Sequence, residues 1–148
     1  MVKALVEDGD ADIDAKNFFQ NTPLGCACEQ GHIKIVDYLL EKGAKPHGVD
    51  KRGKSPLIRA VINGHLHVVS HLLRFGVSPN YYDTSGNSAL HYACAYGWMD
   101  IVKYLIEAGS NINAMNEWKM YPVLLAMLKG HFGIVDYMIN LKDLNASF

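Results

Sequence analysis

The feature that most constrains this chain is a step of 33 residues that recurs through nearly its whole length. Gly31, Gly64, Gly97 and Gly130 stand one step apart, and so do Ala27, Ala60, Ala93 and Ala126. Val36, Val69, Val102 and Val135 form a third column. Leu39, Leu72, Leu105 and Met138 form a fourth, and Leu40, Leu73, Ile106 and Ile139 a fifth. A sixth, Thr22, Ser55, Ser88 and Tyr121, opens each unit. Self-similarity at a period of about 20–50 residues marks units that cannot bury their apolar faces alone and must stack.

Each unit reads as a short helix, a glycine turn, a second helix and an extended loop. Pro23, Pro56 and Pro122 directly follow the opening column, and proline at the first helical position gives up an N–H that has no helical partner anyway. The segment from Leu24 to Glu29 is too short to be stable alone. It stops at Gly31, where a left-handed cap is easiest for glycine. In the second helix Ile33, Val36, Leu39 and Leu40 form one apolar stripe, closed by Gly43 and, in later units, by Gly76 and Gly109. A helix pair of about 20 residues cannot cover such a stripe by itself, so the neighbouring unit must do it. The expected fold is all-α: a solenoid of stacked helix-turn-helix units with hairpin loops.

At this point a family resemblance becomes specific. The units resemble ankyrin repeats, whose pattern runs T-P-L-H-x-A, then G-H, then V-x-x-L-L-x-x-G-A. Asn21-Thr22-Pro23-Leu24, Gly31-His32, Val36, Leu39-Leu40 and Gly43-Ala44 match it, Ser88-Ala89-Leu90-His91-Tyr92-Ala93 comes closest to the hallmark, and Gly64-His65 and Gly130-His131 repeat the turn. The resemblance covers roughly residues 4–144. Gly25, Ile58 and Leu124 replace the hallmark histidine, Trp98 the turn histidine and Tyr121 the hydroxyl, which leaves the hydroxyl–imidazole caps of those units open.

The register gives one domain: a partial unit at 1–15 and full units at 16–48, 49–81, 82–114 and 115–148. Ala4-Leu5-Val6-Glu7-Asp8-Gly9 with Ile13-Asp14-Ala15 resembles the tail of a preceding unit. The last helix carries Phe132, Met138 and Ile139 into Leu141 and Leu144, without the polar outer face of a capping unit. Both ends lead to the expectation of a fragment of a longer protein.

Composition narrows the function classes. Fourteen basic residues against fifteen acidic ones leave a formal charge of -1, so neither nucleic acid nor a membrane surface is an expected partner. The longest apolar stretch, Pro122 to Leu128, is far short of the roughly 20 residues of a membrane helix, and no signal-peptide layout opens the chain. A cytoplasmic or nuclear protein is expected. Cys26, Cys28 and Cys94 are too few for a disulfide framework and read as reduced core residues. Phosphate loops, a nucleophile elbow, H-E-x-x-H and paired C-x-x-C motifs are absent, so neither catalysis nor a cofactor is expected.

Three metal readings were weighed against plainer ones. Cys26 and Cys28 on one helix point to different faces. Asp8, Asp10, Asp12 and Asp14 alternate as in a calcium loop, but Ile13 and Phe19 stand where glycine and glutamate would be needed. His67 and His71 have the i, i+4 spacing of a metal clamp and no third ligand. His32, His65 and His131 are expected to hydrogen-bond between units.

The resemblance also implies where a partner sits: on the concave face made by hairpin tips and the first helices. Carried over, the tips contribute Phe18 and Phe19, then Lys51, Arg52 and Lys54, and finally Trp118 and Met120, while Tyr82 precedes the third tip. The first helices contribute Glu29, Ile62, Asn63, Tyr96 and Leu128. Large aromatics on loop tips have no place in the helix stripe and are candidate anchors. Lys51, Arg52 and Lys54 would suit an extended peptide with acidic residues near its middle. The resemblance further implies that Asn80 and Asn113 are candidate substrates of an asparaginyl hydroxylase. The expected function is a protein–protein interaction module in a larger scaffold or regulatory protein. The alternatives are a targeting arm of an enzyme whose catalytic domain lies elsewhere, and a spacer or self-associating array. Fold alone names no partner.

Overall fold

A computed structural model describes residues 12–146, with side chains through residue 141. The expected preceding unit at 1–15 and the calcium-like Asp8 and Asp10 therefore lie wholly or mostly outside the described residues. Four helix pairs follow one another, with no strand among the described residues: α1 (Pro23–Gln30) with α2 (Ile33–Glu41), α3 (Pro56–Ile62) with α4 (Leu66–Phe75), α5 (Ala89–Tyr96) with α6 (Met99–Glu107), and α7 (Pro122–Leu128) with α8 (Phe132–Ala146).

The helix starts follow from their opening residues. Thr22 Oγ1 accepts from Gly25 N at 3.1 Å and Ser55 Oγ from Ile58 N at 3.2 Å, each satisfying an N–H that the helix leaves free. In the third unit the cap is reciprocal: Ser88 Oγ accepts from His91 N, and Ser88 N donates to His91 Nδ1 at 3.1 Å. Units lacking the histidine keep only the hydroxyl half, and Tyr121 supplies no side-chain cap.

Stacking follows from the small columns. Ala60, Ala93 and Ala126 are fully buried between the first helices, which pack on one another more closely than the second helices do. The stack therefore curves towards its first-helix side. Val36, Val69 and Val102 with Leu39, Leu72 and Leu105 fill the layer between first and second helices with no exposure. Cys28 and Cys94 are buried in the same core, and burial pushes both thiols up to about 12. Neither belongs to a group that could hold a metal among the described residues.

The turn glycines have a second duty besides a left-handed backbone. The His65 ring lies on Gly31, the Trp98 indole on Gly64 and the His131 ring on Gly97, so close that a Cβ would come within 2.7, 2.7 and 2.6 Å of them. His65 Nε2 also bonds Glu29 O at 2.8 Å, and His131 Nε2 bonds Ala95 O at 3.1 Å. Two of the three turn histidines thus join consecutive units. Trp98 does so by packing alone, and His32 is exposed.

Candidate functional site

Each hairpin tip is built by one side chain. Asn17, Asp50, Asp83 and Asn116 each accept, through Oδ1, from the backbone N–H groups two and four residues on, at 2.8–3.0 Å. These residues stand 33 apart, a seventh column filled by either Asn or Asp, whose side-chain oxygens do the same work. Neighbouring tips are then joined: Thr84 donates to Arg52 O through both N, at 3.0 Å, and Oγ1, at 2.9 Å, and Glu117 N donates to Ser85 O at 3.0 Å. The side chains of the second, third and fourth tips are therefore held on a connected row rather than on independent loops.

Two hollows lie between that row and the first helices. The first has a volume of about 430 Å³ and is lined by Phe19, Glu29, Lys51, Arg52, Lys54, Ile62 and Asn63, together with Asn21, Asp50 and Arg59. Seven sequence-derived candidates from four separate segments meet there. The second, of about 160 Å³, is nearly all apolar, with Tyr92, Ala95, Trp118, Met120 and Leu125 among its walls. Tyr96 stacks on Tyr92 with ring centroids 6.5 Å apart. Trp118 is 61% exposed. Phe18, Tyr82 and Leu128 are exposed but line neither hollow. Phe18 meets Phe19 edge-on at 5.5 Å, and Tyr81, not Tyr82, packs across units, against His47 at 4.8 Å.

Arg59 was not singled out from sequence, and it organises the floor of the first hollow. Its side chain is 8% exposed; the guanidinium pairs with Glu29, donates to Asn21 Oδ1 and lies 3.8 Å from Asp50 Oδ2. It passes over Gly25, where a Cβ would stand 3.5 Å from Arg59 Nη1. Gly25 occupies the hallmark histidine position, so the missing imidazole leaves the space that the arginine fills. A buried charge is tolerable only when paired and hydrogen-bonded, and three groups from two units meet that need. Lys51 and Arg52, by contrast, are exposed with no ion pair among the described residues, and Lys54 Nζ lies 5.7 Å over the Tyr92 ring.

His91 ties the second hollow to the cap beneath it. It is fully buried, with Nδ1 on Ser88 and Nε2 3.0 Å from Met120 O. Burial lowers its pKa from the ordinary histidine value, opposed by hydrogen bonds to Met120 and Ala114 and by the Asp83 charge. The unfolded chain then binds a proton that the native state refuses once pH falls below about 6.5. Stability due to His91 is present above that pH and is lost as pH falls towards the depressed folded value. Urea midpoints measured from pH 7.5 to 5 are expected to fall with acidification in the wild type, and less steeply in His91→Gln.

His71 Nε2 contacts Asp37, and His67 is exposed. Asp12 and Asp14 spend Oδ1 on the Asp14 and Lys45 amides. No cluster of three candidate ligands occurs among the described residues.

The family profile for ankyrin repeats in three copies matches residues 1–83 and again 57–147. The chain belongs to the ankyrin-repeat family. Ankyrin repeats are in general protein-interaction modules and typically non-catalytic. The chain is 42% identical over 137 residues to the poly(ADP-ribose) polymerase tankyrase of Caenorhabditis elegans, which covers 85% of this chain and 6% of that protein. It is 37% identical over 57 residues to alpha-latrocrustotoxin-Lt1a of Latrodectus tredecimguttatus, covering 38% of this chain and 4% of the toxin. It is also 34% identical over 64 residues to the NAD-dependent deacetylase sir2B of Dictyostelium discoideum, covering 42% of this chain and 8% of the deacetylase. The chain thus spans under a tenth of the length of each of these relatives. No helix among the described residues is long and apolar enough to cross a membrane.

In this ankyrin array the loop asparagine Asn80 joins two units. Asn80 Nδ2 donates to Gly109 O at 3.1 Å, and Asn80 Oδ1 accepts from Asn111 N at 2.8 Å. Within the next loop Asn113 N donates to Asn111 Oδ1 at 3.0 Å.

Proposed function

We propose that this array binds a protein or peptide partner along the groove between the hairpin tips and the first helices, within a larger scaffold or regulatory protein of the cytoplasm or nucleus. One observation carries the reading: a connected row of tips presents exposed aromatics and unpaired cations beside two hollows. Such groups are the residue types that dominate binding hot spots. A second reading, the targeting arm of an enzyme whose catalytic domain lies outside this chain, draws on relatives named as a polymerase and a deacetylase. Both readings use the same groove.

The test is affinity capture with the wild type, with a variant carrying Phe19→Ala, Arg52→Ala, Tyr82→Ala and Trp118→Ala, and with a variant altered on the second helices at His67, Arg74 and Phe75. All these positions are exposed, so both variants are expected to fold. A partner held by the wild type and the second-helix variant but lost by the groove variant is the expected outcome. Equal retention by all three would remove the groove from the account.

A further inference from the structure

One contact links the linings of the two hollows. Lys54, which lines the first, sits over the ring of Tyr92, which lines the second.

Charge along the groove has one sign to offer. The first hollow holds four cationic side chains, Lys51, Arg52, Lys54 and Arg59, against Glu29 and Asp50. The acids are already engaged: Glu29 with Arg59, Asp50 with the Arg52 and Lys54 amides, and Asp83 in the next tip with two amides and the Tyr92 hydroxyl. Lys51 and Arg52 are left to face solvent, on a tip whose backbone is fixed by Thr84. Fixing that tip lowers the ordering cost of a charged contact. The fourth tip carries one charge of each sign, Glu117 and Lys119.

The second hollow differs in kind. Its 160 Å³ equals about five waters at roughly 30 Å³ each, the room of one branched aliphatic or phenyl side chain. Tyr92, Ala95, Trp118, Met120 and Leu125 can cover that side chain, while the walls offer few polar groups to recognise anything else.

We propose that the groove takes an extended acidic peptide whose carboxylates lie over Lys51 and Arg52 and whose apolar side chain, four or five residues away, fills the hollow beside Trp118 and Met120. The inference rests on the groove being the binding face and specifies what occupies it. The spacing follows from the stack. The apolar hollow lies about one and a half unit steps from the Lys51–Arg52 tip, on the order of 15 Å for helices packed roughly 8–10 Å apart. An extended chain covers about 3.3–3.6 Å per residue. A nucleic acid strand would use the cations, but a base seated in the apolar hollow would bury polar edges that its walls leave unpaired.

The test is selection of a displayed random 16-residue peptide library on the whole chain, followed by affinity measurement of recovered peptides. Sequences with two or more Asp or Glu four or five residues from a Leu, Ile, Met or Phe are expected. Their affinity should fall at least tenfold for Lys51→Glu with Arg52→Glu, about tenfold for Trp118→Ala, and several-fold on raising salt from 50 to 300 mM. Exchange of the Lys51 and Arg52 charges should in turn recover binding of lysine-substituted peptides. Recovered peptides that compete in the groove without acidic residues would overturn the proposal while leaving the groove as binding face. Peptides indifferent to all groove variants would overturn both. A library with no groove binder, or tighter binding of an oligothymidylate than of any peptide, counts against the acidic-peptide assignment alone.

Discussion

Leu72→Ala is expected to cost about 3–4 kcal/mol, within the range of roughly 2–5 for truncating a fully buried leucine. Leu72 has no exposed surface and lies in α4 of the second unit, the unit that also carries the basic tip. Removing its branch leaves a void in a layer that Val69 and Leu105 also fill, and the helices cannot collapse into it without shifting the register of the stack. Total stability for a domain of this size is about 5–15 kcal/mol, so the loss is a large share. Stability in a solenoid passes through nearest neighbours. The second unit should therefore become the weak point and uncouple the basic tip from the Trp118 hollow. Urea unfolding followed by circular dichroism gives the cost. Trp98 and Trp118, both in the C-terminal half, report whether that half survives alone. A change under 1 kcal/mol would show that the layer around Leu72 repacks freely.

The second large effect is expected at Arg59. Breaking a fully buried ion pair from one side costs about 3–5 kcal/mol. Here Glu29 is 41% exposed and Asp50 15%, so their carboxylates regain part of their hydration and about 2 kcal/mol is expected for Arg59→Ala. Arg59→Met, which keeps most of the packing, should cost less in volume and leave the same unpaired carboxylates. A double-mutant cycle with Glu29→Gln isolates the charge contribution. Should the cycle show no coupling, the guanidinium would be acting as filler over Gly25 and not as the electrostatic floor of the groove.

These two sites differ in how far a sequence reveals them. Leu72 belongs to a column visible at the 33-residue step, and the same reading placed the helix starts at Thr22, Ser55 and Ser88 and the turns at the glycine column. Arg59 sits at the variable position of the hallmark, between Ile58 and Ala60, where repeat logic predicts nothing. Gly25 is a departure visible in its own unit, but its meeting with Arg59 depends on the distance between α1 and α3. The tip column of Asn17, Asp50, Asp83 and Asn116 was legible and was passed over because Asn and Asp perform one task with two names.

The repeat alone determined the class of fold, since each unit's apolar stripe has no cover except another unit. The ankyrin resemblance, carried over column by column, indicated which side chains stand on tips and first helices. Tertiary structure decided which of those meet. Phe19, Arg52 and Ile62 line one hollow, and Trp118 and Met120 another, whereas Phe18, Tyr82 and Leu128 line neither. Periodicity records only which face of its own unit a residue occupies. The curvature of the stack and the pairing of charges between units set the remaining coordinate, and both arise from contacts some 30 residues apart in the chain.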